Sequence, residues 1–238
     1  MFFFRIFSFP DLSKVHEFTT HEKEVDDIDF SPDSSKAASI SKDRRALVWD
    51  IKKGKKHAEL GWEPPSNIKY MFKRIKFGCV EGDIKKYKVY TISNPVGNSK
   101  APAILHKWNS QSYTVENQVK SPGLTLSALA VSDNGNFVAT GSMSEGIVEI
   151  FAAFNLSLLK RVKNAHTTFI TGLEFLPTGE ESAPARGFTD ASVVSISVDH
   201  QVCVHHVPRL ATIPSTWALF FIVLVLVCTF IFCSFIGL

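Results

Sequence analysis

Apolar and polar residues alternate with a period of two through most of this 238-residue chain, then the alternation stops. Pairs such as Ile28/Phe30, Ile75/Phe77 and Leu173/Phe175 sit in short runs broken by Gly, Pro, Asn and Asp. Such a period puts every second side chain on one face of a strand, and the breaking residues supply the turns. Similar local settings recur at Phe30, Phe77, Val131 and Phe175, with spacings of 47, 54 and 44 residues. Each is followed by a β-rich run (KAASISK, KVYTISN, NFVATGS, SVVSISV) and then another (ALVWDI, AILHKWN, GIVEIFA, QVCVHHV). The pattern predicts an all-β body with no amphipathic helix before residue 214. Two strands are expected in residues 3–9 and 14–20, and four-stranded units over 25–62, 70–120 and 126–163. A three-stranded unit over 170–207 completes the series.

From Trp217 to Leu238 the chain reads WALFFIVLVLVCTFIFCSFIGL, without a charge or a proline. Twenty-two residues at about 1.5 Å each reach roughly 33 Å as a helix, enough for a bilayer core of about 30 Å. In lipid the backbone must satisfy itself, so helix prevails over the β preference of Val and Ile. A buried core helix would keep a polar stripe, and a cleaved lipid-anchor signal would follow a secretory leader. Arg209 and the Lys-bearing body precede the run, so the positive-inside rule places the body in the cytosol. The N-terminal MFFFRIFSFP is read as a strand, because Arg5 interrupts its apolar run and Pro10 closes it. The domain expectation is a cytosolic body over 1–210, a short linker over 211–216 and a transmembrane anchor over 217–238.

Composition changes this picture only when it is divided. The 45% apolar share averages a charged body and an uncharged tail, since every Lys, Arg, Asp and Glu lies at or before Arg209. That excludes a purely soluble protein and a polytopic membrane protein alike. A net charge of +3 gives no basis for a nucleic-acid partner. The four cysteines, Cys79, Cys203, Cys228 and Cys233, form no CxxC and support neither a zinc site nor a disulfide framework.

The segment His21–Asp50, HEKEVDDIDFSPDSSKAASISKDRRALVWD, matches the WD-repeat pattern: a His, a strand ending Ser-Pro-Asp, an S-x-S-x-D run and a closing Trp-Asp. The pattern implies a polar tetrad of His21, Ser39 (or Ser41), Asp43 and Trp49. Its physical role is to satisfy buried polar groups between the strands of one blade. A second, partial set is expected at His166, Ser195 and Asp199, with Ser197-Val198-Asp199 mirroring Ser41-Lys42-Asp43 and His205 standing where Trp49 stands. The same position after Glu145 is Phe151, so the tetrad decays along the chain and only the first copy is expected to be complete. These residues are assigned to blade structure, not to catalysis. His200, His205 and His206 invite a metal reading, but neighbours on a strand point to opposite faces. No catalytic residue and no metal ligand is assigned. The run Lys52-Lys53-Gly54-Lys55-Lys56 reads as a solvated hairpin turn, or as attraction to an anionic membrane surface or an acidic partner. The sequon Asn155-Leu156-Ser157 is silent in a cytosolic body.

The strand count of 17 amounts to a little over four blades, and its two ends do not complete one another. A closed propeller hides its edges, so the count predicts the C-terminal part of a longer ring. The first blade, the segment NGNFVATGSMSEGIVEIFAAFNLSLLKRVKNAHTTFITGLEFLP, the ending SISVDHQVCVHHVP and the apolar helix after it resemble one family together. That family is the prolactin regulatory element-binding (PREB) type of WD-repeat guanine-nucleotide exchange factor, acting at the endoplasmic reticulum on the Sar-type small GTPase. The resemblance implies a seven-bladed propeller on a single-pass anchor in the endoplasmic-reticulum membrane, its body cytosolic. It implies GDP release from the GTPase at the start of COPII vesicle formation, without covalent chemistry by the exchanger. It also implies a glycine-rich, potassium-binding loop, which no segment of this chain matches, so no cofactor and no exchange residue is assigned. The alternative is a membrane-tethered WD-repeat scaffold without exchange activity.

Overall fold

The computed structural model describes residues 2–64, 68–97, 100–123, 125–209 and 215–236, with side chains of the last segment described at Trp217 and from Leu219 to Phe232. Residues 1–207 and 208–238 form two separate compact units. The linker expected over 211–216 falls mostly outside the described residues, as does the end of the expected anchor at 237–238.

The first unit is built from antiparallel sheets in chain order. Strands β1 (Phe2–Phe7) and β2 (Lys14–His21) form a hairpin. Strands β3 (Val25–Phe30), β4 (Lys36–Ser41), β5 (Ala46–Asp50) and β6 (Lys55–Glu59) make the first four-stranded sheet. The second contains β7 (Tyr70–Val80), β8 (Asp83–Pro95), β9 (Ala103–Trp108) and β10 (Val115–Ser121). The third contains β11 (Leu126–Val131), β12 (Phe137–Ser142), β13 (Val148–Ala152) and β14 (Leu158–Val162). Strands β15 (Ile170–Phe175), β16 (Thr189–Ser197) and β17 (Val202–Pro208) form the last sheet. Pattern and structure agree on a mostly β, propeller-like body of successive small sheets.

One difference lies in the β15–β16 connection. A 3₁₀ turn (Glu180–Ser182) leads into α1 (Ala183–Arg186), a single turn that Gly187 ends at φ 63°. A turn opened by Pro184 and too short to present a repeating face leaves no helical period in the sequence.

The alternation becomes a series of apolar layers between consecutive sheets. Phe4 and Ile6 of the hairpin pack with Phe18 on Ala37, Leu47 and Trp49. Ala38, Ile40 and Val48 on the opposite face of the first sheet meet Ile75, Phe77 and Trp108 of the second. Ile92 and Leu105 then meet Leu129, Val138 and Phe151, and Ala139 and Ile150 meet Leu173 and Val193. At about 25 cal/mol per Å² of apolar surface removed from water, these layers dominate the stability of the body.

Polar groups join each sheet to the first strand of the next. Asp27 and Asp29 of β3 accept hydrogen bonds from the backbone N–H groups of Ile75 (3.1 Å) and Phe77 (2.7 Å) on β7. Asn94 on β8 both donates to the carbonyl of Leu126 (2.7 Å) and accepts from its N–H (3.0 Å). The Ser127 hydroxyl donates to the Ile170 carbonyl at 2.5 Å. Each sheet thereby satisfies edge groups of the next, which a lone sheet would leave to water.

The second unit contains α2 (Ser215–Ile236), 22 residues with no charged side chain. Its described side chains are apolar, except Thr229, and exposed. No helix among the described residues is long and apolar enough to cross a membrane. The described side chains of α2 are continuous only from Leu219 to Phe232, shorter than the roughly 18 apolar residues that identify a span.

Candidate functional site

In the first four-stranded sheet the chain brings together the four residues expected from the WD pattern, with Ser39 and not Ser41 at the hub. Trp49 Nε1 donates to Ser39 Oγ at 2.8 Å, and Ser39 Oγ lies 2.8 Å from His21 Nε2. His21 Nδ1 is 2.9 Å from Asp43 Oδ2. One proton arrangement satisfies this chain: indole N–H to hydroxyl, hydroxyl to Nε2, and Nδ1–H to carboxylate. Asp43 resides in a turn where burial pushes its pKa up. The Arg45 N–H, His21 and the Glu22 N–H outweigh that and hold it below the usual carboxylate range. Ser41 serves the turn instead, donating to the Lys23 carbonyl at 3.0 Å.

The last sheet assembles a similar chain, which the sequence pattern left incomplete. His166 Nε2 is 2.7 Å from Ser195 Oγ, and His166 Nδ1 is 3.1 Å from Asp199 Oδ2. His205 Nε2 lies 2.8 Å from Ser195 Oγ, in the place of the Trp49 indole. An imidazole carrying its proton on Nε2 imitates the indole N–H at this position. Burial, with smaller contributions from His166, Lys160 and His206, pushes His205 down to about 4, so the ring is neutral at neutral pH. His206 points the other way and bonds the Ser192 hydroxyl at 2.8 Å through Nδ1. The two neighbouring imidazoles are thus committed to different serines. Among the described residues, no group of three or more His, Cys, Asp or Glu side chains is placed to hold a metal ion.

The middle sheets keep less. In the second sheet Trp108 Nε1 donates to Thr91 Oγ1 at 2.9 Å. In the third sheet Phe151 has no polar atom to offer, and the buried Thr140 hydroxyl has no partner among the described residues. Buried Glu149 on β13 is held instead by Arg161 and by Ser121, whose hydroxyl donates at 3.0 Å. The Thr91–Trp108 pair was hidden in the sequence because the β8–β9 connection separates the two by 17 positions, against 10 between Ser39 and Trp49. Asp27 and Asp29 carried a readable signal, two carboxylates on one face of a strand that should be half-buried.

Two glycines are fixed by neighbouring backbone. A Cβ at Gly135 (φ 71°) would sit 1.8 Å from the Cys79 carbonyl oxygen, and one at Gly146 (φ 56°) 2.0 Å from that of His166. Their space is taken by protein carbonyls, so packing against the neighbouring backbone requires glycine at both positions.

A recess of about 600 Å³ opens beside the first tetrad, lined by Asp43, Arg44, Glu59, Trp62, Tyr70 and Phe72 among others. Trp62 stands edge-on to Tyr70 (5.1 Å) and to the buried His106 (4.5 Å). Aromatic walls with a rim of both charges suit a protein segment better than a single charged group. The tetrads hold blades in register, and the recess and exposed strand faces offer contact surface.

The WD domain, G-beta repeat model matches residues 12–50, the stretch from the end of the first hairpin turn to the closing Trp49-Asp50. The guanine nucleotide-exchange factor SEC12 of Mus musculus is 29% identical over 221 residues, covering 90% of this chain. The Rattus norvegicus protein of the same name is 30% identical over 222 residues, again 90% of this chain. The chain is thus similar to SEC12 along most of its own length, well beyond the repeat. It spans about half, 52%, of the length of these curated SEC12 relatives. The SEC12 similarity and the repeat are consistent with the PREB-type resemblance carried by the first blade and the ordered segments after it.

Proposed function

We propose that the chain promotes GDP release from a Sar-type small GTPase at the endoplasmic-reticulum membrane, the step that starts COPII vesicle formation. The observation that carries this reading is the SEC12 similarity, which runs through 90% of the chain and is not confined to the repeat. An exchanger makes no covalent bond. It binds the nucleotide-free GTPase more tightly than the GDP form, and by linkage it lowers GDP affinity by the same factor. A rigid stack of sheets joined by Asp27, Asp29 and Asn94 suits that work, because a yielding partner would deform in place of the GTPase.

The tether in this reading is α2. Its 22 uncharged residues would reach about 33 Å, and Trp217 suits the headgroup level. The body then faces the cytosol on a single-pass anchor. The full chain, reconstituted into vesicles, is added to a Sar-type GTPase loaded with fluorescent GDP. The expected outcome is accelerated loss of fluorescence. GTPase binding without acceleration would replace the exchange reading by the membrane-tethered scaffold, and absence of both would overturn the assignment of this partner.

A further inference from the structure

We infer that the tip of the first hairpin and the lysine turn beside it form an interfacial patch that inserts into an anionic bilayer surface. Between β1 and β2 the chain projects Phe9, 89% exposed, and Leu12, 68% exposed, with Phe7 and Val15 also open to solvent. Phe4 and Ile6 of the same hairpin are consumed in the layer against Trp49, whereas Phe9 and Leu12 lie in the turn beyond the paired strands. The turn between β5 and β6 lies directly against this hairpin: a Cβ at Gly54 would sit 2.5 Å from His16 Nδ1. His16 is two residues, about 7 Å, from Lys14, which pairs with Phe7 at the base of the tip.

Around that junction stand the exposed Lys14, Lys52, Lys53, Lys55 and Lys56. The local carboxylates are largely engaged elsewhere. Glu17 is held by Arg5 at 2.5 Å and more loosely by Lys14, Asp50 by Lys36 at 2.7 Å, and Glu59 by Arg45 and Lys56. Asp11 at the tip is hydrogen-bonded to Ser13 and Ser8. Among the described residues no ion pair joins Lys52, Lys53 or Lys55 to a carboxylate. An excess of lysines flanking exposed aromatic and aliphatic side chains matches a headgroup layer above hydrocarbon: ammonium groups meet anionic lipid while Phe9 and Leu12 enter the acyl boundary. An acidic protein surface would meet the lysines but give the apolar tip nothing to enter. The patch does not rest on the exchange reading.

The test uses the full chain carrying Phe9→Trp, reconstituted into vesicles with or without phosphatidylserine and with brominated acyl chains as contact quenchers. The parent chain supplies the background of its native tryptophans. The expected result is a blue-shifted, bromine-quenched Trp signal in the anionic vesicles that is lost in neutral ones. Each of Lys52, Lys53 and Lys55 changed to Gln lowers the ratio of inserted to uninserted tip about fivefold, the equivalent of roughly 1 kcal/mol per lysine near such a surface. Leu12→Asp abolishes quenching while circular dichroism stays unchanged. Chain retained on anionic vesicles without quenching at position 9 overturns the patch whatever holds the chain there. Quenching indifferent to lipid charge overturns its electrostatic part. Binding of soluble polyglutamate that needs the same lysines, with no quenching on vesicles, reassigns the surface to an acidic protein.

Discussion

The first four-stranded sheet and the last one solve the same problem with different chemistry. Both centre a serine hydroxyl between a histidine and an aromatic N–H, and both anchor the histidine on a turn aspartate. In the first sheet the donor is Trp49, whose indole also packs in a layer with Phe18 (tilted, 4.7 Å) and Phe4 (edge-on, 5.6 Å). In the last sheet the donor is His205, which supplies the hydrogen bond but little apolar area and can take up a proton. The hydrogen-bond chain is therefore separable from the packing that accompanies it in the first sheet, and the replacement brings a sensitivity to acid.

The largest expected effect removes the aromatic member. Trp49→Ala loses both packing and the bond to Ser39 and should cost about 3–5 kcal/mol. His205→Ala loses mainly the bond and should cost about 1–3 kcal/mol. Urea titration of the full chain in detergent micelles measures both. Equal costs would mean that the indole layer contributes nothing beyond the hydrogen bond.

Acid should expose the difference next. His205 is pushed from 6.5 to about 4, and burial alone pushes His106 from 6.5 to about 3. For a base whose folded pKa is depressed, the unfolded chain binds the proton first as pH falls. The stabilisation is full above about pH 6.5 and is lost between there and pH 4 for His205, continuing to pH 3 for His106. At about 1.4 kcal/mol per pKa unit, His205 accounts for roughly 3 kcal/mol across that window. His205→Gln keeps an N–H donor that does not titrate, so it should flatten the slope between pH 6.5 and 4 while leaving neutral-pH stability within about 1 kcal/mol. An unchanged slope would show that His205 is not the titrating group. Asp50 and Glu59, each held down to about 2, by Lys36 and by Arg45 respectively, add their own loss as pH falls from the ordinary carboxylate values of 3.8 and 4.5 towards 2.

Much of this was legible in the chain, for identifiable reasons. Turn residues and short β-rich runs placed the strands in their groups: alternation marks the half-buried strands such as β3, and continuous runs such as ALVWD mark the central strands buried on both faces. The His21–Asp50 blade carried its tetrad at ordinary spacing, so Ser39 and Asp43 could be named. His205 was named only as the residue in the tryptophan's place. A histidine has neither the size nor the identity that marks a tryptophan position, and its neighbours His200 and His206 suggested metal chemistry. Thr91 and Trp108 were missed because a lengthened connection broke the spacing. Asp27 and Asp29 signal a polar pair on a half-buried strand, but a single strand does not show that the pair meets the backbone of the next sheet.

The remaining contrast sets the hub hydroxyl of the first sheet against its counterpart in the third. Ser39 Oγ accepts from Trp49 and bonds His21, so Ser39→Ala strands two buried partners and should cost about 2 kcal/mol. Thr140 occupies the matching place, two residues beyond Val138, which pairs with Phe151 as Ala37 pairs with Trp49. With phenylalanine in the donor's place, its hydroxyl is buried without a partner among the described residues. Thr140→Val preserves shape and removes only that hydroxyl, so the same urea titration should show a gain of up to about 1 kcal/mol. A loss of that size would mean that the Thr140 hydroxyl is hydrogen-bonded in the folded chain and that the third sheet retains a tetrad remnant. A gain would establish that the same strand position is a network hub in one sheet and an unpaired cost in another, according to whether the residue diagonal to it on the next strand, Trp49 or Phe151, carries an N–H.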